Sequence, residues 1–149
     1  MSEYRVTVDW KLETESFAYK DYNRDHVWQF DGGAVVPASA APAYRGSPER
    51  VDPEQAFVAA LSSCHMLTFL AIASKRGFVV ERYRDAAVGW MEQDDRGRMA
   101  VTRVVLTPRI EFRGKAPAAD ELSRFHEQSH EQCFIANSVR TEVTVSEDS

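Results

Sequence analysis

Residues 52–77, DPEQAFVAALSSCHMLTFLAIASKRG, decide the fold. Asp52 is a good N-cap, Pro53 suits the first helical position, and Gln55 stands where a capping-box partner belongs. The predicted helix runs to about residue 76, where Gly77 supplies a left-handed stop and Lys75 and Arg76 complement the dipole. At ~1.5 Å per residue this is a rod of ~36 Å. From 56 to 73 it is apolar nearly all round, long enough to suggest a membrane span. Ser62, Ser63, His65 and Thr68, several weakly hydrophobic alanines and charges at both ends argue instead for a helix buried on several sides within a protein.

Upstream, Tyr4, Val6, Val8 and Trp10 alternate with Arg5, Thr7, Asp9 and Lys11, the period of a strand with one wet face. Phe17 and Tyr19 suggest a second strand. Val27, Trp28 and Phe30 make a third, turned by Asp31-Gly32-Gly33, and 36–50 reads as an ordered, proline-bearing loop. Downstream, 78–92 and 99–112 read as two strands joined by the turn 94–98, with Pro108 marking a bulge or an edge. A second helix is expected over 118–132, its apolar face limited to Leu122, Phe125 and Cys133. A last strand holds Val143 and Val145, and the tail from Ser146 should fray. The sum is one α+β domain, 1–149, with largely antiparallel strands around a long buried helix.

Composition narrows the function. A chain of 149 residues suits one domain, and 18 Lys+Arg against 23 Asp+Glu leave a net charge of −5. With no long basic run, neither nucleic acid nor an anionic membrane is expected as the main partner. No basic start followed by an apolar run is visible, so no signal peptide is expected. Two cysteines are too few for a secreted disulfide scaffold, so a reducing cytoplasm is the expected compartment.

Two constellations could carry chemistry. His126-Glu127-Gln128-Ser129-His130 is a literal H-E-x-x-H, which on a helix puts two imidazoles one turn apart with a general base between them. It lacks a third ligand at metzincin spacing, and Gln128 and Ser129 give it a solvated look, so a zinc hydrolase is a remote alternative. The second constellation is Cys64, mid-helix, and Cys133, just past the second helix. Either they are small core hydrophobes or they are a redox pair. A mid-helix thiolate gains little from the helix dipole and needs a cation; Arg24, Arg45 and Arg50 precede the helix.

At this point the residues add up to a resemblance. DPEQAFVAALSSCHMLTFLAIA, with its Pro-Glu start and a cysteine ten residues beyond the glutamate, resembles the signature helix of the OsmC/Ohr family. CFIANS resembles that family's second-cysteine segment, and Asn23-Arg24-Asp25-His26-Val27 resembles its arginine-bearing stretch. The likeness runs from about Trp10 to Val145. It implies an OsmC-like fold, an intertwined homodimer, and a thiol-dependent peroxidase that reduces organic hydroperoxides without a cofactor or metal. By the same resemblance the second helix is a surface element.

The resemblance assigns roles. Cys64 is the peroxidatic cysteine, Cys133 the resolving one, Arg24 the cation at the thiolate, and Glu54 the carboxylate that orients it. Arg45 is the rival for the arginine role. A dithiol, of lipoyl type in part of the family, would reset the pair. Glu54 and Cys64 lie ten positions apart, about 15 Å along an ideal helix, so one site combining them calls either for an arginine folding back across the gap or for residues from two chains. Phe57, Met66, Phe69, Phe134 and Trp28 are candidates for an apolar pocket wall, and His65 is expected to be a packed, hydrogen-bonded histidine. A redox-sensing or ligand-binding protein of the same fold, without efficient turnover, is the alternative from another class.

Overall fold

The computed structural model describes residues 1–147 and falls into two compact units, Met1–Ala56 and the chain from Phe57 onward. In the first, three antiparallel strands follow one another across a sheet: β1 (Val6–Asp9), β2 (His26–Phe30) and β3 (Val35–Ala38). Val6 pairs with Phe30 and Val8 with Trp28, so the apolar members of the alternation share one face. The strand suggested at Phe17 and Tyr19 does not form. Phe17 instead packs on Tyr22 and Trp10, with ring centroids 4.8 and 5.9 Å away. Asn23 clips the same segment, donating to the Lys11 carbonyl (2.9 Å) and accepting from the Glu13 amide (2.8 Å). Ring clustering and a side-chain clip thus take the place of ladder bonds. Arg50 braces the unit by donating to the carbonyls of Ala38 (2.9 Å) and His26 (2.8 Å).

The long helix, α1 (Pro53–Lys75), starts with the predicted capping box. Asp52 Oδ1 accepts from the Gln55 amide at 2.8 Å, and Gln55 Oε1 accepts from the Asp52 amide at 3.2 Å. Gly77, at φ 83°, ends it in the left-handed conformation that glycine adopts without a Cβ penalty. Within the chain its buried residues, Leu61, His65, Phe69, Ile72 and Ala73, form one stripe. Leu67, on another face, is 60% exposed. Burial expected on several sides is therefore confined, in a single chain, to one.

Each of the two downstream runs read as a single strand breaks into two. The elements are β4 (Val79–Asp85), β5 (Val88–Gln93), β6 (Met99–Leu106) and β7 (Pro108–Arg113). β4 pairs with β7 in one sheet and β5 with β6 in another, all antiparallel. Asp85 sits at the break: one carboxylate oxygen accepts from the Thr107 amide (2.6 Å) and the other from the Ser62 hydroxyl of α1. Pro108 is the first residue of β7, where its missing N–H is tolerated. After β7 come α2 (Ala119–Gln132), a 3₁₀ turn (Ala136–Ser138) and β8 (Glu142–Val145), which lies parallel to β6. The tail does not fray at Ser146, whose amide donates to the Leu106 carbonyl at 2.8 Å. Asp148 and Ser149 lie outside the described residues.

α1 packs on these sheets through two apolar clusters. Phe69, Ile72, Ala73, Phe78 and Phe125 form one; Leu61, Val104, Leu106 and Val143 form the other. Gly89 permits the close approach of α1 to β5, since a Cβ there would lie 2.7 Å from Val58 Cγ2.

Candidate active site

α1 places Cys64 partly open to solvent, and its carbonyl accepts from Thr68 Oγ1 at 2.9 Å. Cys133 is the residue at which α2 stops, in extended backbone conformation, and is 1% exposed. Far apart in sequence, the two thiols both lie in the second unit, Cys64 near enough to act on Cys133, and both are free. Cys133 Sγ also accepts from the Ala136 amide at 3.4 Å, while the Cys133 carbonyl accepts from Asn137 (3.0 Å). The sulfur thus caps the 3₁₀ turn, as a serine hydroxyl would. Burial and the adjacent Cys64 sulfur push the Cys133 thiol above its ordinary range, against a smaller pull from the Ala136 and Ile135 amides.

The arginine and the carboxylate belong to the other unit. Arg24 is held by its own loop: its guanidinium lies 3.5 Å from the Tyr22 ring centroid and 4.8 Å from that of Tyr19. It donates to the Tyr22 carbonyl and, at 2.6 Å, to the Tyr19 carbonyl. Its side chain lines an open cavity of about 370 Å³ with Trp10, Phe17, Tyr22, His26 and Pro53. Arg45 has left-handed backbone, φ 70°, and stands 5.6 Å from the Tyr19 ring centroid. Arg50, besides its carbonyl partners, lies 3.9 Å from Asp25. The Ser47 hydroxyl, 2.6 Å away, and the Arg50 charge hold the Asp25 carboxyl below the usual range. Glu54 is half-buried in the first turn of α1, where the dipole favours a negative charge.

The five candidates for an apolar wall have different surroundings. Phe69 is in the first cluster of the core and Phe57 packs against the second, lining a separate cavity of about 720 Å³ beside the 94–98 turn. Phe134 is 80% exposed, and Trp28 belongs to the first unit.

The H-E-x-x-H motif has another use than zinc. His126 Nδ1 lies 3.0 Å from His65 Nε2, and the rings stack with an interplanar angle of 11°. Both residues are buried, while His130 is exposed. Among the described residues no three His, Cys, Asp or Glu are grouped to hold a metal ion. The second helix is therefore not a surface element throughout: His126 and Ser129 face inward, the latter donating to the Phe125 carbonyl at 2.6 Å. Burial and the neighbouring His126 lower the pKa of His65 to about 4. Its packed, hydrogen-bonded state is as predicted; its partner was invisible, because no local pattern links positions so distant in sequence.

Comparison with known proteins follows the same geometry. A family model described as OsmC-like protein matches residues 46–148. The chain is similar to an OsmC-like protein of unknown function from Vibrio cholerae, with 47% identity, TM-score 0.94, and 98% of this chain and 99% of that chain covered. An organic hydroperoxide resistance protein from Elizabethkingia anophelis shares 17% identity at TM-score 0.73, covering 99% and 98% of the two chains. One from Legionella pneumophila shares 15% at TM-score 0.69, covering 98% and 99%. Among curated proteins nothing matches. With its capped central helix, paired thiols and a match over residues 46–148, the chain belongs to the OsmC-like protein family.

Proposed function

We propose that this protein is a cytoplasmic thiol peroxidase that reduces organic hydroperoxides to alcohols. The observation that carries the reading is the placement of two free thiols near enough that Cys64 acts on the Cys133 thiol, one partly open and the other sealed. The Cys64 thiolate attacks the terminal peroxide oxygen, the O–O bond breaks, and the alcohol leaves with a proton, giving a sulfenic acid. The Cys133 sulfur then attacks the Cys64 sulfur, water leaves, and a disulfide forms. A dithiol returns both sulfurs to thiols.

Arg24 stabilises the thiolate and the peroxide oxygens, and Glu54 orients it. The aromatic cavity that Arg24 lines suits the organic group of the substrate. A homodimer completes the protein. Val6, Val8 and Phe30, sharing one sheet face, are 52%, 62% and 41% exposed, a patch that a second copy would cover.

Purified protein mixed with cumene hydroperoxide and excess dithiol should turn over many times, and Cys64→Ser should abolish the activity. Consumption of about one equivalent, or an active Cys64→Ser, would overturn the reading. One observation favours a sensor that oxidises without turnover: Arg24 commits two of its donors to carbonyls of its own loop. In that case wild-type protein stops at the Cys64–Cys133 disulfide with dithiol present.

A further inference from the structure

The two sulfurs are not equivalent toward a reductant. A disulfide is opened by a thiolate approaching one sulfur from the side opposite the S–S bond, and access decides which sulfur is struck. Cys133 is 1% exposed, enclosed between the end of α2 and the 3₁₀ turn, whereas Cys64 is partly open on α1. The other sulfur must leave carrying negative charge, and a bare buried thiolate is costly without hydrogen-bond donors. Cys133 has them: the Ala136 amide, 3.4 Å from Sγ, and the Ile135 amide beside it.

We propose that a reducing thiol attacks Cys64, not Cys133, in the Cys64–Cys133 disulfide, and that the backbone N–H groups of Ile135 and Ala136 receive Cys133 as the leaving thiolate. The inference rests on the disulfide invoked for the peroxidase reading. The reductant's sulfur bonds to Cys64 Sγ, the Sγ–Sγ bond breaks, and its electron pair goes to Cys133. Burial then favours protonation of Cys133 by a proton from water, which removes the nucleophile for the back reaction. The second thiolate of a dithiol attacks the reductant's own sulfur in the mixed disulfide, forming a cyclic disulfide. Cys64 is released as the thiolate that the next peroxide needs.

The test uses the wild-type protein. One sample is oxidised with one equivalent of cumene hydroperoxide and another with diamide. Each is mixed with 2-mercaptoethanol, whose single thiol lets the adduct persist, quenched in acid within the first turnover, alkylated with N-ethylmaleimide and mapped by peptide mass spectrometry. The expected result is the mercaptoethanol adduct on Cys64 and the maleimide on Cys133, favoured about tenfold or more over the reverse. Adducts on Cys133, or an even split, overturn the inference. If diamide forms the disulfide and peroxide does not, adducts on Cys64 uphold the inference while the peroxidase reading falls. If neither oxidant forms it, both fall.

Discussion

The two units are stabilised by different means. From Phe57 onward the chain has two apolar clusters on either side of one helix stripe, built from fully buried residues such as Phe69, Leu61 and Leu106. In Met1–Ala56 the only hydrophobic residue among the buried ones is Ala38. Its order comes from ladder bonds, the Asn23 clip, the Arg50 brace and an aromatic cluster open to water. Its sheet keeps its valines on an open face, with Val6, Val8 and Val35 all exposed. The contrast indicates which unit buries its apolar side chains within one chain and which leaves them open.

The sharpest way to break this contrast is to empty one site in each unit. Phe69→Ala should cost about 3–5 kcal/mol, by lost transfer energy and a cavity that neighbours cannot fill. In denaturant titrations that loss should not depend on protein concentration. Phe30→Ala should cost little at high concentration and progressively more on dilution, as expected of a residue covered by association. Equal, concentration-independent losses would show that the open face is covered within one chain.

Acid probes the polar centre of the second unit. His65 is neutral in the fold, with its pKa lowered to about 4 from 6.5. Between those values the unfolded chain binds a proton that the folded chain does not, so stability falls as pH drops from 6.5 and levels off near 4. The loss should be about 3 kcal/mol, and His126, also lowered by burial, adds in the same direction. His65→Gln should flatten the limb between pH 4 and 6.5 in urea titrations; an unchanged limb would place the acid sensitivity elsewhere.

The smallest effect concerns the cap of α1. Asp52→Ala should lower stability by about 1 kcal/mol through loss of the bond to the Gln55 amide. Asp52→Asn, which keeps an acceptor, should restore most of it in the same titration. Loss from both would mean that the charge, rather than the bond, matters at this position.

What could be read from the sequence was local. The capping box, the Gly77 stop and the turn at 94–98 each lie within a few residues, and each is as read. The readings that failed depend on packing and pairing that a hydrophobic pattern does not show. Gln128 and Ser129 made α2 look solvated, yet Ser129 is buried, with its hydroxyl satisfied by the Phe125 carbonyl. Phe17 and Tyr19 have strand-like character, but ring packing on Tyr22 and the Asn23 clip settle the backbone otherwise. Pro108 marks a break in the second of the runs 78–92 and 99–112, but only the pairing shows that each run changes sheet. For the site, the two thiols were legible as candidates, while the sealing of one and the opening of the other were not.

Asp85 gives this last point an evolutionary side. One carboxylate answers to α1 through Ser62 and to the Thr107 backbone amide just before β7, at the place where two sheets part. Neighbouring strand residues answer to one partner strand each and can drift with it. A change at 85 would have to be matched at two distant places at once. In a library of random variants selected for folding, this position should therefore stay acidic long after the hydrophobic residues around it have exchanged among themselves.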